Sequence, residues 1–255
     1  MSGLAVMPDA LSLEQLLASE LEEARIIQQA MVNSERTRYT GFDVAVLFRP
    51  AREVGGDFLD HFTVSDGTFA FYLGDVVGKG LAAAMYAALA VGTLRGINKA
   101  GAPPDSVLAL LNERLRMRVV PGRFCCAFYA TFDAMSRRLR YSNAAMPRPI
   151  LITGNGAREV GDGGLPAGMF EDAAYDLHEL NLAPGDSVLF TTDGLIEADD
   201  ENNEQFSVER MISICAASHA APADEMLACI MEAVDEHTGD VSPHDDMTAL
   251  LLRAR

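Results

Sequence analysis

The order of its apolar runs constrains this chain more than any other feature of the sequence. Residues 42–48 and 68–73 read as strands, short and rich in β-branched and aromatic side chains. Two helices follow. The first covers 80–98 and is rich in alanine, leucine and methionine; the second covers 103–118 and is opened by Pro103-Pro104-Asp105, with proline in its favoured early position. Strand-like runs return at 124–132, 138–142, 149–153 and 187–191, with a further candidate at 173–180. Late helices fit 208–217 and 222–237, and 247–252 closes the chain as a strand. Strands, then helices, then strands, without strict βα alternation, point to an α+β fold of packed antiparallel sheets with helices outside. Hydrophobic residues make up 49% of the 255, enough to fill the core that such layers need.

Ahead of the strands, residues 11–31 form an amphipathic helix. Leu13, Leu16, Leu17, Leu21, Ala24, Ile27 and Met31 recur every three or four positions with glutamates between them. Ser12 and Gln15 have the spacing of a capping box. Packing on the domain and pairing with another helix both remain open for its apolar stripe.

With 37 acidic against 20 basic residues, the net charge is −17. A surface of that sign excludes nucleic acid and anionic membrane as partners, because both need a positive face. No apolar run approaches the roughly 20 residues that span a bilayer, and the N-terminus lacks the pattern of a signal peptide. Cys125, Cys126, Cys215 and Cys229 lack zinc-site spacing and read as buried reduced thiols, in keeping with a cytoplasmic location. Cys125 and Cys126 are adjacent in a strand, so they point to opposite faces.

Four aspartates stand at the ends of apolar runs, beside glycine or another acid: Gly55-Gly56-Asp57, Gly74-Asp75-Val76, Thr192-Asp193-Gly194 and His244-Asp245-Asp246. Carboxylates on strand ends present oxygen to hard cations such as magnesium and manganese from a rigid frame. Glycine beside them lets backbone carbonyls and water approach the ion. The glycine-rich turn after Asp75 is neither a Walker loop, since Gly80 follows Lys79, nor a dinucleotide fingerprint. His61 and His244 lie near the acids, but a hard cation there already has carboxylates. Glu53 either supports a metal shell or pairs with Arg49 or Arg52.

Taken in order, Ala51-Arg52-Glu53-Val54-Gly55-Gly56-Asp57-Phe58, Gly74-Asp75-Val76, Arg140-Tyr141-Ser142-Asn143-Ala144, Leu182-Ala183-Pro184-Gly185-Asp186, Thr192-Asp193-Gly194 and Asp245-Asp246-Met247-Thr248 resemble the PPM (type-2C) metal-dependent protein phosphatases, specifically the SpoIIE-like bacterial branch. The resemblance implies an αββα sandwich with two divalent cations, manganese or magnesium, in a cleft at one edge of the sheets. The chain divides into a phosphatase domain over 41–255 and, over 1–40, a helical linker segment that is a candidate for dimerisation or for contact with an upstream sensor partner. By the same resemblance, Asp75 bridges both metals and the Val76 carbonyl helps to hold one. Asp193 and Asp245 complete the second, and Asp57 holds the first, partly through water. A metal-bridging water then attacks the phosphorus of a phosphoserine or phosphothreonine protein, typically an anti-sigma-factor antagonist in this branch.

Two departures stand out. Ala145-Met146 replaces a frequent Gly-His, and Lys79 replaces a common histidine; Lys79 is a candidate to meet the substrate phosphate, or is a solvated surface lysine. Two other readings stay open: a catalytically weak adaptor or binding module of the same fold, and a hydrolase of small phosphate esters.

Overall fold

The computed structural model describes residues 12–32, 37–65, 67–97, 101–117 and 119–255. The expected helix limits at Leu11, Asn98 and Arg118 lie outside the described residues. One sheet has the order β1 (Thr37–Tyr39), β2 (Phe42–Arg49), β11 (Met247–Ala254), β10 (Ser187–Thr191), β7 (Ile150–Thr153), β8 (Gly156–Glu159). The other runs β3 (Phe58–Ser65), β4 (Thr68–Val76), β5 (Cys125–Asp133), β6 (Arg138–Ala144), β9 (His178–Asn181). Every pairing in both sheets is antiparallel.

Strand alternation builds the layers. Phe71, Leu73, Phe128 and Phe132 point between the sheets and meet Phe42, Val188, Phe190, Leu250 and Leu252. Phe190 lies at the centre of that layer, its ring 5.0 Å from Phe71, 5.1 Å from Phe128 and 5.7 Å from Tyr141. These edge-to-face contacts lock the two sheets face to face. The alternate residues of β4 and β5, including Tyr72, Val76, Ala127 and Tyr129, face α2 (Leu81–Ile97) and α3 (Pro104–Arg116). On the far side Ala249 and Leu251 pack under α5 (Val208–Ala217) and α6 (Ala223–Thr238). The result is the αββα sandwich.

Helix α1 (Leu13–Met31) starts with the capping box of Ser12 and Gln15 and lies along α2 and β3. Its apolar stripe is only half covered: Leu13, Leu16, Leu17 and Ile27 are exposed, and the buried side chain is the polar Gln28.

Several elements have no clear reading in the sequence. Strand β3 carries Asp60 and His61 in its buried stretch, which breaks the apolar pattern; Arg95 and Tyr72 hold Asp60, and Tyr39 bonds His61. Strands β1 and β8 are three and four residues long, and α4 (Asp193–Ile196) is a single turn hidden behind an Asp-Gly pair. All four cysteines are free, but only Cys125 and Cys215 are buried; Cys126 is half-buried and Cys229 exposed. Among the described residues no helix is long and apolar enough to cross a membrane.

Candidate active site

The four aspartates that end separate apolar runs come to one end of the sandwich. Asp75 closes β4 and Asp57 enters β3, whose first residue Phe58 pairs with Gly74. Asp193 follows β10 and Asp245 precedes β11, paired strands whose register brings Thr191 opposite Ala249. Antiparallel pairing thus gathers acids more than 180 positions apart in sequence.

The Gly55-Gly56-Asp57 loop is pressed into this corner. A Cβ on Gly56 would lie 2.7 Å from the Val76 carbonyl oxygen and 2.8 Å from Asp75 Oδ1; one on Gly55 would lie 1.7 Å from Asp246 Oδ2. Only glycine fits at either position, and the Val76 carbonyl, Asp75 and Asp57 are brought side by side as a result.

Asp57 is buried and held from two strands. Thr192 Oγ1 donates to its Oδ2 at 3.0 Å, and Thr248 Oγ1 donates to the same oxygen. Asp246 takes the Ala51 N–H at 2.8 Å and the Asp57 N–H at 3.3 Å, fixing the loop's path. From the other side Gln28 of α1 accepts the Gly55 N–H at 3.1 Å and donates to the Gly55 carbonyl at 2.7 Å.

Burial pushes the Asp57 carboxyl well up from its ordinary range, and the charges of Asp75 and Asp246 add to this against the pull of the two threonine hydroxyls. Burial, then Asp193, Asp245 and Asp246, push Asp75 up to about 7. Asp193 is raised by loss of solvent and by Asp245, although its own N–H and that of Gly194 favour the carboxylate. Among the described residues the cation paired into the group is Lys79, whose Nζ lies 3.1 Å from Asp245 Oδ2.

This donor set is oxygen alone: carboxylates and a backbone carbonyl, which suits a hard divalent cation and not a soft one. Among the described residues no group of three or more His, Cys, Asp or Glu is arranged, as it stands, to hold a metal ion. The acids instead crowd and repel, and positive charge is what the cluster lacks. On that chemistry the residues fit the expected metals.

The remaining sequence candidates face other partners, although His244 also borders the cluster, next to Asp245 and acting on Asp193. His61 bonds Tyr39 at 2.9 Å, His244 lies 4.0 Å from Asp199, and Arg49 pairs with Asp235 at 2.5 Å, leaving Glu53 exposed. Sequence reasoning missed Thr192, Thr248, Asp246 and Gln28 as supports. It also missed Cys126, the register partner of Asp75, whose thiol is pushed up to about 12 by burial and by Asp75 and Asp193. One signal was present: strand alternation puts Asp246 and Thr248 on the same face.

Two antiparallel sheets between helical layers, with acids gathered at one end, define the PP2C-type phosphatase fold. The chain belongs to the SpoIIE family: the family model described as Stage II sporulation protein E matches residues 65–255. The chain is 25% identical over 249 residues to the phosphoserine phosphatase RsbU of Bacillus subtilis, covering 95% of this chain and 72% of RsbU. It spans less than half the length of two other curated relatives, 41% and 45%. Its fold is similar to that of the SiaA-PP2C domain of Pseudomonas aeruginosa, with a TM-score of 0.86 at 20% identity over 97% of this chain and all of that one. RsbX in complex with magnesium has the same fold, with a TM-score of 0.66 at 16% identity over 87% of this chain and 99% of RsbX.

Proposed function

We propose that this chain is a metal-dependent protein serine/threonine phosphatase, hydrolysing a phosphoserine or phosphothreonine on a protein. The observation that carries the reading is the position of Asp75, pressed against the Asp57 loop and charged upon by Asp193, Asp245 and Asp246. Two divalent cations, manganese or magnesium, supply when bound a lowered water pKa and Lewis acidity toward the phosphoryl oxygens. Asp75 would be the carboxylate shared between them. The Val76 carbonyl and Asp57 would hold the first, with Asp57 bonded by Thr192 and Thr248. Asp193 and Asp245 would hold the second.

The similarity to RsbU supports a phosphoprotein as substrate, and the family resemblance extends this to an anti-sigma-factor antagonist in the cytoplasm. Residues 41–255 act as the phosphatase domain. The half-covered α1 offers Leu13, Leu16 and Leu17 to a second copy or an upstream partner, while its Gln28 touches the Asp57 loop.

The test is hydrolysis of a phosphoserine protein and of a chromogenic aryl phosphate with manganese, with chelator, and after manganese is restored. Turnover should vanish with chelator and return with manganese or magnesium. Undiminished turnover by metal-free protein would end the reading; activity on the aryl phosphate alone would favour a small-ester hydrolase.

A further inference from the structure

Lys79 carries a side chain that runs from the glycine-rich turn to the segment before β11. The turn that carries it is pinned at several points. The Val77 N–H donates to the Phe124 carbonyl at 3.2 Å, Arg123 donates to the Val77 carbonyl, and the Ala84 N–H closes onto Gly80 at 3.0 Å. The lysine stem therefore starts from a fixed base two residues before α2. Its ammonium reaches the start of β11, pairing with Asp245 Oδ2 at 3.1 Å and donating to the His244 carbonyl. Asp245 adds to the charge pressing on Asp75 and on Asp193, so this ammonium sits beside a carboxylate that acts on both.

The pair is also built to exchange. Lys79 is 38% and Asp245 34% exposed, and an ion pair of that exposure holds weakly against solvent. An ammonium on four methylenes swings easily about its base, and its three donors match phosphate oxygens as well as carboxylate.

We infer that Lys79 is an internal counter-ion for Asp245, displaced when a divalent cation engages that carboxylate and then free to bind the phosphoryl oxygens of the substrate. Metal loading on the Asp245 side and phosphate binding are thereby coupled: until the metal arrives, the lysine is occupied. The inference rests on the proposed roles of Asp193 and Asp245, and the experiment separates the two.

Manganese binding to metal-free protein is measured by calorimetry, without substrate, for wild type, Lys79→Met and Lys79→Arg. Inhibition by inorganic phosphate is then measured on each manganese-loaded protein. Removing an exposed competing ammonium should tighten the weaker manganese site about two- to fivefold. Lys79→Met should at the same time lose phosphate inhibition. Lys79→Arg keeps the charge and can grip Asp245 with two donors, so it should weaken the manganese site while retaining phosphate inhibition. Circular dichroism checks the fold, which an exposed side chain does not support. Wild type that binds no manganese overturns the metal reading and this inference with it. Wild type that binds manganese, with Lys79→Met equal to it in manganese affinity or in phosphate inhibition, overturns this inference alone.

Discussion

Thr192 and Thr248 donate to one oxygen of Asp57, and each also ties its neighbour's backbone: the Thr192 N–H bonds the Thr248 carbonyl at 3.0 Å, and the Thr248 N–H bonds Thr192 Oγ1 at 3.1 Å. The two threonines thus hold one oxygen of the Asp57 carboxylate in place. Such outer supports set how firmly a ligand is held, and their loss typically lowers metal affinity about 10- to 100-fold. Thr248→Val keeps the β-branched shape in the strand and removes the hydroxyl. It should shift half-maximal manganese by that order while turnover at saturating manganese stays within a few-fold. Asp75→Asn, in contrast, should not recover at any manganese concentration. Turnover followed across a manganese titration decides; a Thr248→Val curve superimposed on wild type would remove the threonine from this role. At this scale the four aspartates could be read because acid, glycine and strand end recur together. The threonines, Asp246 and Gln28 could not, because their meaning lies in partners 27 to 191 positions away, and a threonine in a strand carries no sign of what it bonds.

Among the elements, α1 departs furthest from its sequence pattern. Periodicity located the helix and its capping box, but the residue that docks it is the polar Gln28, with the leucines at its start left in solvent. Gln28 reads both backbone groups of Gly55, two residues before Asp57, so a rotation of α1 is felt directly by the loop that carries the carboxylate. Gln28→Leu retains helix propensity and volume but leaves a buried N–H and carbonyl unpaired, at a cost of about 1–3 kcal/mol. The expected outcome is a folded protein, less stable by that amount in urea, with turnover reduced and its manganese requirement raised. A variant that loses stability but shows an unchanged manganese requirement would make α1 a packing element only. Strand β3 shows the converse limit on legibility. Its buried Asp60 is held by Arg95 of α2 at 3.0 Å and by the Tyr72 hydroxyl at 3.3 Å, compensations that no window of eight residues can reveal.

Taken whole, the molecule places its acids at one end of the sandwich. The order of strands and helices made the layers legible, whereas the pairing of β1, β8 and β9 at the sheet edges rests on segments too short or too polar to carry a period. The concentration of charge has a consequence for stability. Asp75, ordinarily an acid of low pKa, is pushed up to about 7 by burial and by Asp193, Asp245 and Asp246. A carboxyl raised on folding contributes stability at pH below its unfolded value and loses it as pH rises through the folded one. Metal-free protein is therefore penalised, through this group, as pH climbs from 6 to 8. A divalent cation works in the opposite direction, because it needs the ionised carboxylates and competes with the protons they carry. At a free manganese concentration 100 times its dissociation constant, the added stability is about 2.7 kcal/mol, equivalent to roughly 5–10 °C in Tm for a chain of this size. Thermal scans at fixed free manganese, against chelator, should show that shift in full at pH 8 and progressively less at pH 7 and pH 6. Equal shifts at all three values, or the largest at pH 6, would mean that the acids at this end of the sandwich do not hold the metal.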